Sequence, residues 1–289
     1  MSQTIVRLAR RTDVASICEL CKDEHWNYSV RMIERLLAYE PKGCFLAEVN
    51  GEFAGQVFSI NYGKIGWIGV LIVNENYRRR GVGTLLMKHS IRYLLGLGVE
   101  TIRLEAVPEI ANLYRRIGFV DEFHSIRFLG TSRRQELLSG LSIERMSVKE
   151  MPRIADFDRE YFGGDRMRVL KRLYQASPEL CFYSQEDSQI LGYIISYEME
   201  TGYRIGPWIC KPHGVRFPVI ARELLLTCMN SIEVGTKIYV GVPETSNTAI
   251  RILHNLGFTM TAKCIRMRFG KRLQEKPKAV LSISGPESG

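Results

Sequence analysis

Apolar and polar positions along this chain alternate between strand-like and helix-like spacing in an ordered series. Thr4 to Leu8 reads as a strand, and Thr12-Asp13 then starts a helix carried by Val14, Ile17, Cys18 and Cys21. Ser29 is placed to cap a second helix, Met32 to Tyr39, which Pro41-Lys42-Gly43 ends. Cys44 to Val49 and Glu52 to Tyr62 read as strands, and Asn50-Gly51 between them is a strong hairpin signal. Ile65 to Val73 is apolar throughout, which predicts a central strand. An amphipathic helix follows from Gly83 to Leu95, then a strand from Thr101 to Ala106 and a short helix from Ile110 to Arg116, broken by Gly118. Val120 to Leu129 closes this half as strand-like segments.

The second half repeats the first. Lys64-Ile65-Gly66-Trp67-Ile68 returns as Arg204-Ile205-Gly206-Pro207-Trp208-Ile209, and Val107-Pro108-Glu109 returns as Val242-Pro243-Glu244. Ile117-Gly118-Phe119 returns as Leu256-Gly257-Phe258, and the run ending at Gly130 returns as the run ending at Gly270. Four echoes in one order, about 140 residues apart, point to a duplicated domain. The polar, basic stretch Thr131 to Leu141, with Gly130 and Gly140 flanking it, is the expected connection. Domains are therefore expected over 1–135 and 142–270, with 271–289 a loosely held tail containing Pro277, Gly285 and Pro286.

Composition narrows the classes. A chain of 289 residues that is 45% hydrophobic and 25% charged can bury real cores. No apolar run is long enough to span a bilayer, and Met1 to Arg11 has no signal-peptide pattern. Seven scattered cysteines argue against a disulfide framework and for a reducing compartment, so a cytoplasmic location without a membrane partner is expected. Cys18 and Cys21 form a lone CxxC inside a helical pattern, with no second ligand pair, and no metal site is expected. The net charge of +9 is dispersed, with no long basic run interleaved with aromatics, so a nucleic-acid partner is not expected.

Chemistry concentrates after the apolar strand, in Leu71-Ile72-Val73-Asn74-Glu75-Asn76-Tyr77-Arg78-Arg79-Arg80-Gly81-Val82-Gly83-Thr84. Here a strand runs into a turn, and two glycines open a helix. The free amides of a first helical turn, with the helix dipole behind them, form a main-chain cradle for phosphate oxygens. The spacing matches neither a P-loop nor a dinucleotide fingerprint.

Arg78-x-x-Gly81-x-Gly83 resembles the acetyl-CoA signature of the GNAT superfamily, Q/R-x-x-G-x-G/A. Asn112-Leu113-Tyr114-Arg115-Arg116-Ile117-Gly118-Phe119 resembles the GNAT segment ending in L-Y-x-K/R-x-G-F. The resemblance implies an α/β (α+β) fold of two tandem GNAT-like domains, each a mixed, mostly antiparallel sheet flanked by helices. It implies that acetyl-CoA is cosubstrate, that Leu71, Ile72 and Val73 pair with its pantetheine arm, and that Arg78, Arg79, Arg80, Gly81, Val82, Gly83 and Thr84 hold its phosphates. Tyr114 matches the tyrosine that acts as general acid toward the departing sulfur, a role a phenol suits. The asparagine that many members carry ahead of this tyrosine is here Val107, and Asn112 is the nearer candidate for that contact.

A base for the amine is less clearly marked. Glu105 ends a predicted strand where such sites open; Glu24, His25 and a water relay are the alternatives. Glu24-His25-Trp26-Asn27 is similar to an EGWN motif with His25 in the glycine position, and with Tyr28 it is the expected acceptor wall. This motif, Asp158 to Arg166 and Arg204 to Trp208 together resemble a tandem-GNAT family whose second half is degenerate. Consistent with that, Leu253 stands where Tyr114 stands, and Cys210-Lys211-Pro212-His213-Gly214-Val215-Arg216 lacks the glycine signature. The expected reaction is direct acetyl transfer to a small-molecule primary amine. A protein lysine or N-terminus as acceptor, or a non-catalytic CoA-binding sensor or scaffold, are the alternatives. Monomer and homodimer both fit.

Overall fold

Strand β1 (Thr4–Leu8) pairs antiparallel with β2 (Cys44–Val49), and the chain between them folds as helices α1 (Val14–Asp23) and α2 (Val30–Tyr39). The Ser29 hydroxyl accepts from the amide of Met32 at 3.2 Å, the cap its sequence predicts. Asn50 and Gly51 both take positive φ, +52° and +85°, as a tight two-residue hairpin requires, and join β2 to β3 (Glu52–Asn61). These coordinates are a computed structural model and describe residues 3–137, 141–212, 214, 216–273 and 276–289.

The chain divides into two units. Unit 1 comprises Met1–Glu122, Arg266–Arg272 and Glu287–Gly289; unit 2 comprises Phe123–Ile265 and Leu273–Pro286. In unit 1, β3 pairs antiparallel with β4 (Ile65–Val73). Helix α3 (Val82–Gly96) then leads to β5 (Thr101–Ala106), which lies parallel to β4. Helix α4 (Ala111–Ile117) follows, and β6 (Val120–Thr131) begins in unit 1 and continues in unit 2.

Unit 2 repeats the scheme. It contains β7 (Ile143–Arg145), α5 (Met151–Phe162), α6 (Met167–Ala176), β8 (Cys181–Glu186), β9 (Gln189–Glu198) and β10 (Tyr203–Cys210). Helix α7 (Arg216–Asn230), β11 (Lys237–Pro243) and α8 (Asn247–Asn255) complete the correspondence. Its strands run in the order β6-β11-β10-β9-β8-β7, with only β10 and β11 parallel. Trp208, Leu224, Leu253 and Phe258 lie in its core.

The long strand β12 (Thr259–Gly270) mirrors β6: its first residues belong to unit 2 and the stretch from Arg266 to unit 1, beside β5. There Glu122 lies among three guanidiniums, 3.9 Å from Arg103, 3.9 Å from Arg266 and 3.2 Å from Arg268. Arg266 also stacks over the buried Trp67 ring at 4.4 Å. Each unit thus takes a strand segment from the other half of the sequence, which the expected boundaries at 135 and 142 do not anticipate.

The expected loose tail needs correction. Val280–Ser282 forms strand β13, antiparallel to β10, and Leu281, Ser282, Ser284, Glu287 and Ser288 are all buried. The Ser282 hydroxyl donates to the Ile205 carbonyl at 2.9 Å, and the Ile283 amide donates to the Gly241 carbonyl of β11 at 3.0 Å. The expected connection is likewise held in unit 2, where Asn230 exchanges two hydrogen bonds with the backbone of Gln135, at 2.9 and 2.8 Å. Leu138 to Gly140 of that connection, and His213 and Val215 of the second cofactor-loop counterpart, lie outside the described residues.

Candidate active site

The pairing of β4 with β5 covers Ile65–Trp67 against Thr101–Arg103. A bulge on β4 then shifts its register with β3, between Gly69 opposite Phe58 and Ile72 opposite Gln56. Val70, inside the bulge, has φ +53°, a region a β-branched residue enters only under strain, at a cost of about 1–3 kcal/mol. The bulge re-aims the rest of the strand. Leu71, Ile72 and Val73 line a cleft of about 770 Å³ in unit 1.

The turn after β4 is built by its own side chains. Asn74 Oδ1 accepts from the Asn76 amide at 3.1 Å, and Arg78 Nε donates to the Val73 carbonyl at 2.9 Å. The other end of the Arg78 guanidinium pairs with the Glu24 carboxylate. Arg79 (φ +60°) and Gly81 (φ +83°) then turn the backbone into α3. A Cβ at Gly81 would meet nothing within 4 Å, so this glycine answers to its φ rather than to crowding. The first intrahelical bond runs from the Leu85 amide to the Gly81 carbonyl. The amides of Val82, Gly83 and Thr84 sit in the first turn, ahead of any helical partner, and these residues line the cleft.

The cleft is also lined by Val107, Ile110, Asn112, Leu113 and Arg116, from α4 and the turn before it. The Asn112 side chain accepts from Arg115 at 2.8 Å. Tyr114 is buried on α4, edge-on to Phe119 with centroids 6.0 Å apart, and is not among the cleft-lining residues. Burial holds its phenol well above the usual tyrosine range, so at neutral pH it is a proton donor only. Arg80, exposed, stands over the Tyr77 ring at 5.6 Å and does not line the cleft. A second cavity of about 870 Å³ shares Thr84, Leu113 and Arg116 with the first and adds Lys88 and Arg92.

The acceptor-wall candidates fall into two groups. Glu24 and Trp26 line the cleft, whereas His25 is exposed, Asn27 half-buried and Tyr28 buried behind them. His25 has φ +57°, which explains why glycine suits this place in the motif. Glu105 is half-buried on β5 and outside the cleft lining. Sequence reasoning missed Tyr77, Val107, Glu109, Ile110, Leu113 and Arg116 as lining residues; Arg116 carried a signal, standing at the basic position of the L-Y-x-K/R-x-G-F segment.

All seven cysteines are buried. Burial pushes the thiols of Cys21 and Cys228 up to about 12 and those of Cys44, Cys181 and Cys210 higher still, so these five are thiols, not thiolates, at neutral pH. Among the described residues, no helix is long and apolar enough to cross a membrane. No group of three or more His, Cys, Asp or Glu among them is arranged to hold a metal.

A family model described as "Acetyltransferase (GNAT) family" matches residues 14–119, and one described as "Acetyltransferase (GNAT) domain" matches residues 154–282. An N-alpha-acetyltransferase of Sulfurisphaera tokodaii is 34% identical over 134 residues, 39% of this chain and 78% of that protein. Holothin acyltransferase of a Pseudoalteromonas species is 22% identical over 267 residues, 92% of this chain and 88% of that one. Among solved structures, a candidate acetyltransferase of Pyrococcus horikoshii superposes with a TM-score of 0.83 at 24% identity, covering 99% of this chain and 96% of that one. A tandem GNAT protein from the clavulanic acid biosynthesis pathway gives 0.64 at 11% identity, covering 94% and 100%.

Proposed function

The chain belongs to the GNAT family of acetyl-CoA-dependent N-acetyltransferases, and we propose that it carries the acetyl group of acetyl-CoA directly to a primary amine of a small-molecule acceptor. The observation that carries this reading is the junction of β4 and α3, where Leu71–Val73 and the first-turn residues Val82, Gly83 and Thr84 line one cleft. That arrangement suits a thioester cosubstrate with an amide-bearing arm and a pyrophosphate. The strand backbone would hold the arm, and Arg79 to Thr84 the phosphates. Lys88, Arg92 and Arg116, around the adjoining cavity, would attract the phosphorylated adenosine end.

Acetyl-CoA supplies the activated acetyl thioester. The protein's own work is to orient it, deliver a neutral amine and move two protons. Tyr114 would give its hydroxyl proton to the departing sulfur, and Glu105, directly or through water, would take the proton the amine loses. Buried, protonated cysteines support direct transfer over an acyl-cysteine route. Residues Glu287–Gly289, packed against Gly69 and Trp67 of β4, take up space along that strand and favour a small acceptor over an extended peptide.

Unit 2 would carry no cofactor. Leu253, buried in its core, stands in the place of Tyr114, and β13 bridges from β10 to β11 where an arm would have to enter. Calorimetric titration with acetyl-CoA is the test: one site per chain is expected, and two or none would overturn the reading. Release of free CoA thiol in the presence of primary amines then identifies the acceptor class.

A further inference from the structure

Unit 1 holds a buried carboxylate that the cleft does not use. Glu287 is 2% exposed, and its Oε2 accepts from the Tyr28 hydroxyl at 3.0 Å. The segment around it is seated along β4. The Ser288 carbonyl accepts from the Tyr62 hydroxyl at 2.8 Å. A Cβ at Gly69 would come within 2.5 Å of the Glu287 Cα, and a Cβ at Gly289 within 2.6 Å of the Trp67 ring. Backbone is therefore pressed against backbone at Gly69, where any side chain would unseat residue 287.

Gly69 lies immediately before the bulge that turns β4 into the cleft. Tyr28 stands edge-on to Trp26, with centroids 5.7 Å apart and an interplanar angle of 84°, and Trp26 lines the cleft. A continuous set of contacts thus runs from Glu287 through the Tyr28 hydroxyl and ring to Trp26. A tyrosine ring has two side-chain torsions, and a bond at its far oxygen pins both. The edge-to-face contact passes that constraint to Trp26, on a turn where His25 already sits at positive φ.

The geometry points to Glu287 as a positioning residue for the acceptor: through Tyr28 it fixes the Trp26 ring against which the amine is held. This inference rests on the proposed amine transfer at the same cleft. The bond asks only for an acceptor oxygen on residue 287, so the amide of Glu287→Gln can replace the carboxylate, while Glu287→Ala cannot.

The test uses the full chain, acetyl-CoA, and a panel of aliphatic monoamines, diamines, amino sugars and amino acids, from which the best wild-type acceptor is carried forward. Glu287→Ala and Tyr28→Phe are each expected to raise the amine KM about tenfold while the acetyl-CoA dissociation constant stays within about twofold. Glu287→Gln should stay within about threefold of wild type, and Glu287→Ala/Tyr28→Phe should be little worse than either single variant. An unchanged amine KM in Tyr28→Phe, which keeps the ring and removes only the hydroxyl, overturns the proposal even if Glu287→Ala does not fold. So does a Glu287→Ala that weakens amine and acetyl-CoA equally. A wild type that binds acetyl-CoA but acetylates no amine overturns the proposed function itself, and this inference with it.

Discussion

Arg78 donates from Nε to the carbonyl of Val73 at 2.9 Å, so the side chain that opens the glycine turn also closes the end of the strand before it. Its remaining partner is Glu24, and the two side chains are 46% and 33% exposed. A pair this wet contributes at most about 1 kcal/mol. Arg78→Ala should therefore barely move the melting temperature, yet weaken acetyl-CoA about tenfold by loosening the amide turn, as calorimetry beside a thermal melt would read.

On the proposed role of Tyr114 as acid, Tyr114→Phe should lower kcat about 10- to 100-fold with acetyl-CoA affinity unchanged. Burial raises this phenol above its ordinary value near 10, so it stays protonated across the working range. The wild-type rate should not fall between pH 7 and pH 9. A fall there that vanishes in the phenylalanine variant would show a phenolate at work and remove Tyr114 as the acid.

The thiols give a prediction with a definite sign. All seven are buried, and Cys21 and Cys228 are pushed up to about 12. In the unfolded chain they ionise near pH 8.5, so their contribution to stability is complete below that pH. It is lost progressively as pH rises toward 12, because the unfolded state gives up its protons first. Urea midpoints should fall from pH 8 to pH 10. A thiol-specific reagent at pH 8 should leave the native protein unmodified and active, and should titrate seven thiols only in denaturant.

Asp158, fully buried in unit 2, accepts from Arg166 Nε at 2.9 Å and from the Tyr193 hydroxyl. The Arg166 guanidinium also lies over the Phe162 ring at 3.9 Å. Asp158→Ala strands a buried guanidinium and should cost about 3–5 kcal/mol, measurable by chemical denaturation.

At the turn after α1 the expected change is a gain. His25 occupies a left-handed conformation at φ +57°, and His25→Gly should stabilise the protein by about 1 kcal/mol in the same assay. A loss would mean that the imidazole makes a contact worth more than the backbone strain.

What the sequence made legible was local. Asn50-Gly51 names its hairpin because both residues must take positive φ, Ser29 names its helix start, and Gly81 names its turn. These signals are carried by residues that neighbour what they determine. The exchanged segments of β6 and β12 pair residues more than a hundred positions apart, and no periodicity records such a partner. Residues 271–289 misled for a different reason. Ser282, Ser284 and Ser288 are buried, small and polar, and a count of large apolar residues passes over them. Within the cleft, the resemblance pointed to Leu71–Val73 and to Gly81–Thr84, which line it, whereas Glu287 had no motif to announce it.

The division of unit 1 among three stretches of chain has a consequence for synthesis. Its first 122 residues leave the ribosome without the segment Arg266–Arg272, whose β12 residues complete their sheet beside β5. At a usual elongation rate, the intervening residues 123–265 take roughly 7–30 s to make. For that interval the nascent first unit presents an unpaired β5 edge, the kind of surface that chaperones cover and that neighbouring chains can capture.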